Sequence, residues 1–404
     1  MRVIVLGGAG IIGRAIARDL VQDVDEVLIA DLDEHAAKTV AQSLGRGASW
    51  LGVDVTAPDS LAEALLSAQV CVNSVNYYFN MEVMRACLAS GVPYIDLGGL
   101  FHMTRRQLEL HTQFERQGVT AILGLGSCPG VANVQAGWLA GKLESVDSVR
   151  IYNGSTQDED ESLAAPYAIQ TILDELSMPA MIFRDRQFQD RPPLGEEEYF
   201  TFPEPIGRAK THLSLHSEVA TIPLSLADKG IRECTFKITT FGFAEPVLRK
   251  LQFLVELGLA STEPVQLNGT SVRPRELLIQ LLGRVPQPKR RPSKANLKAV
   301  VTEVRGMAEG QELLLRAETT GFLEGSTADL GGSALVAGPP AIAARWLGKG
   351  QLVQPGVWPP EQIVEPGPFF EQLATRGFTT RLIRTQTIAP AGSSAGAAVQ
   401  ASGL

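Results

Sequence analysis

The chain has 404 residues, too many for one ordinary hydrophobic core, so two domains are expected. Hydrophobic residues at 45% with 20% charged describe a soluble globular protein, and a formal net charge of −8 sets aside general nucleic-acid binding. Four scattered cysteines (Cys71, Cys87, Cys128, Cys234) without metal-type spacing, no cleavable apolar leader and no run near the roughly 18 apolar residues of a membrane span predict a cytoplasmic protein without metal, disulfide or membrane contact.

Val3 to Leu6 reads as an apolar strand that runs into Gly7-Gly8-Ala9-Gly10-Ile11-Ile12-Gly13 and then into the amphipathic helix Arg14 to Leu20. Strand, glycine turn and helix in this order form a dinucleotide-binding fingerprint. Gly8 is expected to make the tight turn, Gly10 to let the backbone approach a pyrophosphate and Gly13 to let helix and strand pack closely. Ala9, Ile11 and Ile12 complete the phosphate loop, whose free N–H groups face the ligand. Val27 to Ala30 is a second strand ending at Asp31, placed to bind both ribose hydroxyls; with Leu32-Asp33-Glu34 following and no Arg or Lys, the turn favours NAD over NADP.

The α/β alternation continues with a helix around 33–44, a strand from Trp50 to Val53, a helix around 58–67 and the strand Val70 to Ser74. Such alternation implies a doubly wound, Rossmann-type parallel sheet with ligands beyond the strand C-termini. At those ends Asp54 and Val55 are candidates for the adenine side, Asp54 being equally suited to cap a helix, and Asn73 and Ser74 for the rest of the cofactor. A helix at 80–90, the strand Tyr94 to Leu97, a helix at 104–117 and the strand Thr120 to Leu123 lead to a second glycine turn, Gly124 to Gly130, where the chain crosses between domains.

From Val149 to about Arg305 the pattern becomes that of an α+β domain on a largely antiparallel sheet, with an edge able to pair with a second subunit. Glu312 to Glu318 pairs with Val300 to Val304 across Gly306–Gly310. The basic run Lys289 to Lys298 reads as a solvated loop, 332–350 returns to helix, and Ala389 to Leu404 has the composition of a disordered tail.

Ordered motifs along some 380 residues resemble the saccharopine dehydrogenase-like family, and within it the branch of bacterial L-lysine 6-dehydrogenases. They are the N-terminal glycine turn, Val72-Asn73 leading to Tyr78-Phe79-Asn80, Asp96 to Gly99 with His102, Gly126 through Pro129-Gly130 to Asn133, Asp174-Glu175, and Pro359 to Val364. The resemblance implies a discontinuous cofactor domain, with residues 1–125 completed by 331–388 and a substrate and dimerisation domain, 126–330, inserted between them. It also implies hydride transfer between NAD and a carbon bearing nitrogen, on a small amine or amino acid, by a homodimer.

The expected reaction is oxidation of L-lysine at its terminal amine to the semialdehyde and ammonia. The alternatives are a saccharopine- or carboxyspermidine-type reductive condensation of an amine with an oxo compound, or a regulator that binds NAD without turnover. Candidate catalytic groups are Tyr78, which otherwise packs as an aromatic, Asp96 as base or as backbone cap, and His216 in proton transfer or as a backbone-bonded residue. Substrate-binding candidates are Asn80, the close-approach glycines Gly98 and Gly99, Cys128 as thiolate or as small hydrophobe, Arg184 for a carboxylate and Glu218 for an ammonium.

Overall fold

The computed structural model describes residues 1–156, 163, 165, 167–286, 298–321 and 332–386. Among these the strands run in chain order β1 (Arg2–Leu6), β2 (Glu26–Asp31), β3 (Ala48–Gly52), β4 (Val70–Asn73), β5 (Tyr94–Asp96), β6 (Thr120–Ile122), β7 (Ser145–Ser155), β8 (Ala180–Arg184), β9 (Gln187–Arg191), β10 (Glu198–Thr201), β11 (Arg208–Leu213), β12 (Glu233–Ile238), β13 (Val265–Leu267), β14 (Thr270–Val272), β15 (Lys298–Ala308), β16 (Gln311–Gly321), β17 (Gly356–Trp358) and β18 (Phe378–Gln386).

The first sheet has the order β17-β6-β5-β4-β1-β2-β3, with every neighbouring pair parallel. Its apolar strands serve two cores at once, as a sheet covered on both faces requires. Val3 and Val5 face one core with Ile16 and Leu20, while Ile4 and Leu6 face another with Leu61 and Met84. Strand order reverses between β1 and β4, which opens the crevice where such sheets bind ligands.

The second sheet runs β10-β11-β12-β7-β15-β16-β18, with β8 attached to β12 and β9 to β8. The β12–β7 pair is parallel and the other pairs are antiparallel. The β15–β16 hairpin is longer than its sequence pattern indicates. Gly306 lies within β15, at an irregularity against β7, and the reversal is made by Glu309 and Gly310, both at positive φ.

The C-terminal return is split between the two domains. Helix Ser333–Gly348 and β17 join the parallel sheet, but β18 pairs along its length with β16 in the second sheet rather than returning to the cofactor domain. Arg345 binds Asp19 at 2.7 Å and Arg376 binds the same carboxylate at 2.7 Å, which ties both parts to the first helix. The 389–404 tail and Lys289 to Asn296 lie outside the described residues. Lys298, the end of the supposed solvated loop, instead begins β15 and reaches into the space between the domains.

Candidate functional site

A cleft of about 540 Å³ separates the C-terminal rim of the parallel sheet from the second sheet. Its floor begins at the glycine turn. Gly7, not Gly8, takes the positive φ of 71° that makes the turn, and Gly8 packs against Val5 and Ile29, where a Cβ would approach within 2.8 Å. At Gly13 a Cβ would lie 2.2 Å from the Gly7 carbonyl oxygen, so the helix Ile11–Leu20 sits directly on the turn. No side chain caps that helix, and Gly10, Ile11, Ile12 and Gly13 line the cleft with the first-turn N–H groups available to phosphate. Asp31 accepts from the backbone N–H groups of Ala9 (3.1 Å) and Asp33 (3.2 Å), which holds it beside the loop at the end of β2. These features fit a dinucleotide: an uncapped helix end for the pyrophosphate and an oriented carboxylate for a ribose.

Other rim residues divide into those that face the cleft and those that brace it. Ser74 lines it and donates to the Leu6 carbonyl at 2.6 Å. Asn73 does not line it; it is buried and donates to Asn80 (3.0 Å) and Tyr94 (3.1 Å). Asn80 in turn donates to Asp96 (3.3 Å) and the Gly98 carbonyl (3.2 Å). Asp54 bonds Thr56 through backbone and side chain at 2.8 and 2.7 Å, a local turn outside the cleft, and Val55 packs against the second core.

Asp96 is the hub of this brace and does not reach the cleft. Its carboxylate accepts from the Gly124 N–H (2.6 Å), the Gly98 N–H (2.8 Å), Gln107 (2.5 Å), Tyr94 (3.0 Å) and Asn80. Burial pushes its carboxyl up while these donors pull it back, with a net rise. The arrangement joins the ends of β5 and β6 and is that of a backbone cap. Gly98, at φ 116°, lines the cleft against Pro129, whereas Gly99 is turned toward Gln107 and accepts support from Ser217, whose hydroxyl its N–H contacts at 3.3 Å.

The second domain supplies the opposite wall. His216 lines the cleft, stacked on Phe236 with ring centroids 3.9 Å apart, and its Nδ1 is bonded to Glu218 Oε2. Burial would lower the imidazole pKa, but Glu218 and Glu175 outweigh it and hold His216 above its ordinary value. With Nδ1 engaged, Nε2 is the nitrogen left for the cleft. Glu218 is fully buried and does not line the cleft, which leaves it no contact with a substrate ammonium; the carboxyl that does line the cleft is Glu175, held above the usual range by burial with His216 and Ser214 opposing in part. Ser214 (2.7 Å) and Tyr167 (3.1 Å) orient the Glu175 carboxylate.

Three further candidates lie elsewhere or behave otherwise. Tyr77 lines the cleft and its hydroxyl donates to Asp174 at 2.8 Å, while the Tyr78 hydroxyl is bound to Asp174 and accepts from Arg275 (3.0 Å), and Arg275 holds Asp174 at 2.6 Å. Burial and Asp174 push the Tyr78 phenol up to about 12, so it keeps its proton near neutral pH. Cys128 does line the cleft, but burial and then Glu218 drive its thiol well above the usual range, which makes it a small apolar group and not a thiolate. Arg184 is consumed by Glu196 in a bidentate pair (2.9 and 2.8 Å) on the β8–β9 hairpin.

Residues 3–122 match the saccharopine dehydrogenase NADP binding domain and residues 126–378 the saccharopine dehydrogenase C-terminal domain. The chain belongs to the saccharopine dehydrogenase family. It is an NAD(P)-binding oxidoreductase of that family, acting on CH–NH bonds. Among its relatives, the carboxynorspermidine synthase of Vibrio alginolyticus is 24% identical over 400 residues, 92% of this chain and 94% of the relative. The carboxyaminopropylagmatine dehydrogenase of Synechocystis is 21% identical, covering 93% and 96%. The apo saccharopine dehydrogenase (L-Glu forming) of Saccharomyces cerevisiae shares the fold, with a TM-score of 0.67 at 15% identity over 95% of this chain and 99% of that one.

Within this saccharopine dehydrogenase-family cleft, Glu175, Lys298 and Tyr77 are functional candidates that the sequence reading did not assign. Glu175 had a signal, an acid on the otherwise apolar face Ile172, Leu173, Leu176 of helix Ile169–Ser177. The Pro359-Pro360-Glu361 motif serves packing: Glu361 accepts from Asn133 (2.8 Å) and Ser225 (2.9 Å), joining the helices Val131–Ala140 and Glu218–Ser225. No described cluster of His, Cys, Asp and Glu could hold a metal ion, and no described helix is long and apolar enough to cross a membrane.

Proposed function

We propose that the protein joins an amine to a carbonyl compound reductively, forming a secondary amine with NADH as hydride donor. The observation that carries this reading is the wall opposite the nucleotide floor, where the Glu175 carboxyl and the His216 imidazole, the latter bonded to buried Glu218, present an acidic group and a proton-transfer group to one cleft. An amine substrate is a cation at neutral pH, and such a wall attracts it. Two relatives matching more than nine-tenths of the chain carry names of carboxylated polyamines, which favours condensation over the oxidation of lysine.

The chemistry then assigns tasks to these residues. The amine nitrogen must lose a proton before it can attack the carbonyl carbon, and His216 Nε2 takes it. The addition product must lose its hydroxyl as water, and the same imidazolium returns the proton. Glu218 keeps the ring oriented and charged on demand, and Glu175 holds the ammonium end that does not react. NADH, when bound, supplies the hydride that reduces the resulting carbon–nitrogen double bond.

The test is NADH consumption at 340 nm over a panel of diamines and aldehydes. The reading requires consumption only when amine and carbonyl compound are both present. Reduction of NAD by lysine alone, with no condensation activity, would replace it with the oxidative reaction.

Asp31 supports NADH as the cofactor, because the carboxylate fixed by Ala9 and Asp33 would repel a 2′-phosphate. Expected kcat/KM with NADH exceeds that with NADPH by about 10-fold or more, and Asp31→Ser narrows the ratio by lowering the NADH value. A native preference for NADPH contradicts the assignment.

A further inference from the structure

Beside the nucleotide crevice stands a contact between the domains that the proposed chemistry does not use. β1 and β4 flank the point where strand order reverses, and Tyr77 and Tyr78 follow β4 in the short turn Tyr77–Phe79. Asn76 accepts from the Tyr78 N–H at 3.1 Å and fixes that turn, and the two phenol rings lie 4.5 Å apart, so Tyr78 backs Tyr77 on the cleft wall. Both hydroxyls cross to the second domain and donate to the same oxygen, Asp174 Oδ2, Tyr77 at 2.8 Å. Burial and Asp174 hold both phenols above their ordinary range, so they remain donors at neutral pH.

The acceptor is built entirely inside the second domain. Asp174 lies on the helix Ile169–Ser177, next to Glu175, and Arg275 lies on the helix Pro274–Leu282. Both are buried, and Arg275 Nη2 donates to Asp174 Oδ1 at 2.6 Å and to the Gln170 carbonyl at 2.7 Å, which turns Oδ2 toward the tyrosines. This pair survives separation of the domains, whereas each phenol gains its charge-assisted hydrogen bond only when the domains meet.

A second contact across the domains has the opposite character. At the end of β5, Ser217 meets the Gly99 N–H (3.3 Å), Thr104 (3.1 Å) and the Leu100 carbonyl (3.2 Å), and all four residues are buried. Tyr78 is 40% exposed, so water can replace Asp174 at its hydroxyl at small cost. The contact beside the crevice is therefore the one able to open.

We infer that Asp174 and Arg275 are positioning residues of the nucleotide site: they anchor Tyr77 and Tyr78, and through them the rim of β4, so that the domains close on bound NAD(P)H and part there to release it. This depends on the dinucleotide site alone and not on which amine or carbonyl compound reacts.

The deciding variant is Tyr77→Phe/Tyr78→Phe, which keeps both rings, removes only the two hydroxyls and leaves the Asp174–Arg275 pair intact. Stopped-flow displacement of NADH, or of NADPH where that binds more tightly, is expected to show release about 10-fold faster than in the wild type. Acrylamide is expected to quench the fluorescence of the bound nicotinamide more strongly, because the cleft stands open more of the time. Arg275→Met is expected to move both readings the same way, and Arg275→Lys to recover part of the change. Release and quenching that stay at wild-type values in the double Phe variant overturn the inference. Faster release with unchanged quenching overturns it too, by making the hydroxyls direct ligands of the nucleotide.

Discussion

His216→Gln is expected to lower kcat by about 10²- to 10⁴-fold, the usual contribution of a positioned acid–base group. The imidazole is stacked flat on Phe236 and bonded through Nδ1 to a fully buried carboxylate, so its free nitrogen is fixed in direction before substrate arrives. Gln keeps a polar side chain of similar reach but cannot exchange a proton. NADH affinity, measured by fluorescence titration, is expected to change little, because the nucleotide floor is built from the other domain. An equal fall in NADH affinity and kcat would assign His216 to cofactor binding instead.

The companion variant Glu218→Gln tests how that imidazole is tuned. Burial lowers the pKa of His216, and the negative charges of Glu218 and Glu175 raise it by more. Removing the Glu218 charge leaves burial less opposed. The limb of the kcat/KM profile that reports His216 is therefore expected to move to lower pH in Glu218→Gln. A limb that stays in place would show that Glu218 does not set the charge of the ring.

The second large effect is on stability. Asp96→Ala is expected to cost about 4 kcal/mol or more, because it strands five donors inside the protein, two of them backbone N–H groups. Asp96→Asn keeps one acceptor oxygen and turns the other group into a donor, so a smaller loss is expected. Denaturant unfolding of both variants checks this. A catalytic base would give the reverse pattern, with full stability and a kcat near zero in Asp96→Asn.

Much of the nucleotide-binding half was legible because its signals are local. A fully apolar strand, glycines at fixed spacing and an amphipathic helix specify one another within about twenty residues, and Asp31 follows from the same unit. What was misread even there was the division of labour: Gly7, one residue before the motif's first glycine, makes the turn because Gly8 is needed against Ile29. The candidate site was less legible because its groups meet only through the fold. Asp96 before two glycines looks the same in sequence whether it faces a substrate or the Gly124 N–H, which comes from a different strand end. Tyr77 and Tyr78 are neighbours that both donate to Asp174, and only the fold, which adds Arg275 to the Tyr78 hydroxyl and leaves Tyr77 on the cleft wall, tells them apart. Lys298 closed a run of basic residues and so read as solvent-exposed, while the β15–β7 pairing that carries it inward involves residues about 150 positions earlier. The same is true of β18, whose partner β16 belongs to the other domain.

Reduction with NADH carrying deuterium at the transferred position, followed by mass spectrometry and NMR of the product, tests the central claim most directly. The account predicts one deuterium on the carbon bonded to the nitrogen of a new secondary amine. Deuterium on the carbon of a primary alcohol, or no transfer while lysine drives NAD reduction and releases ammonia, would contradict it.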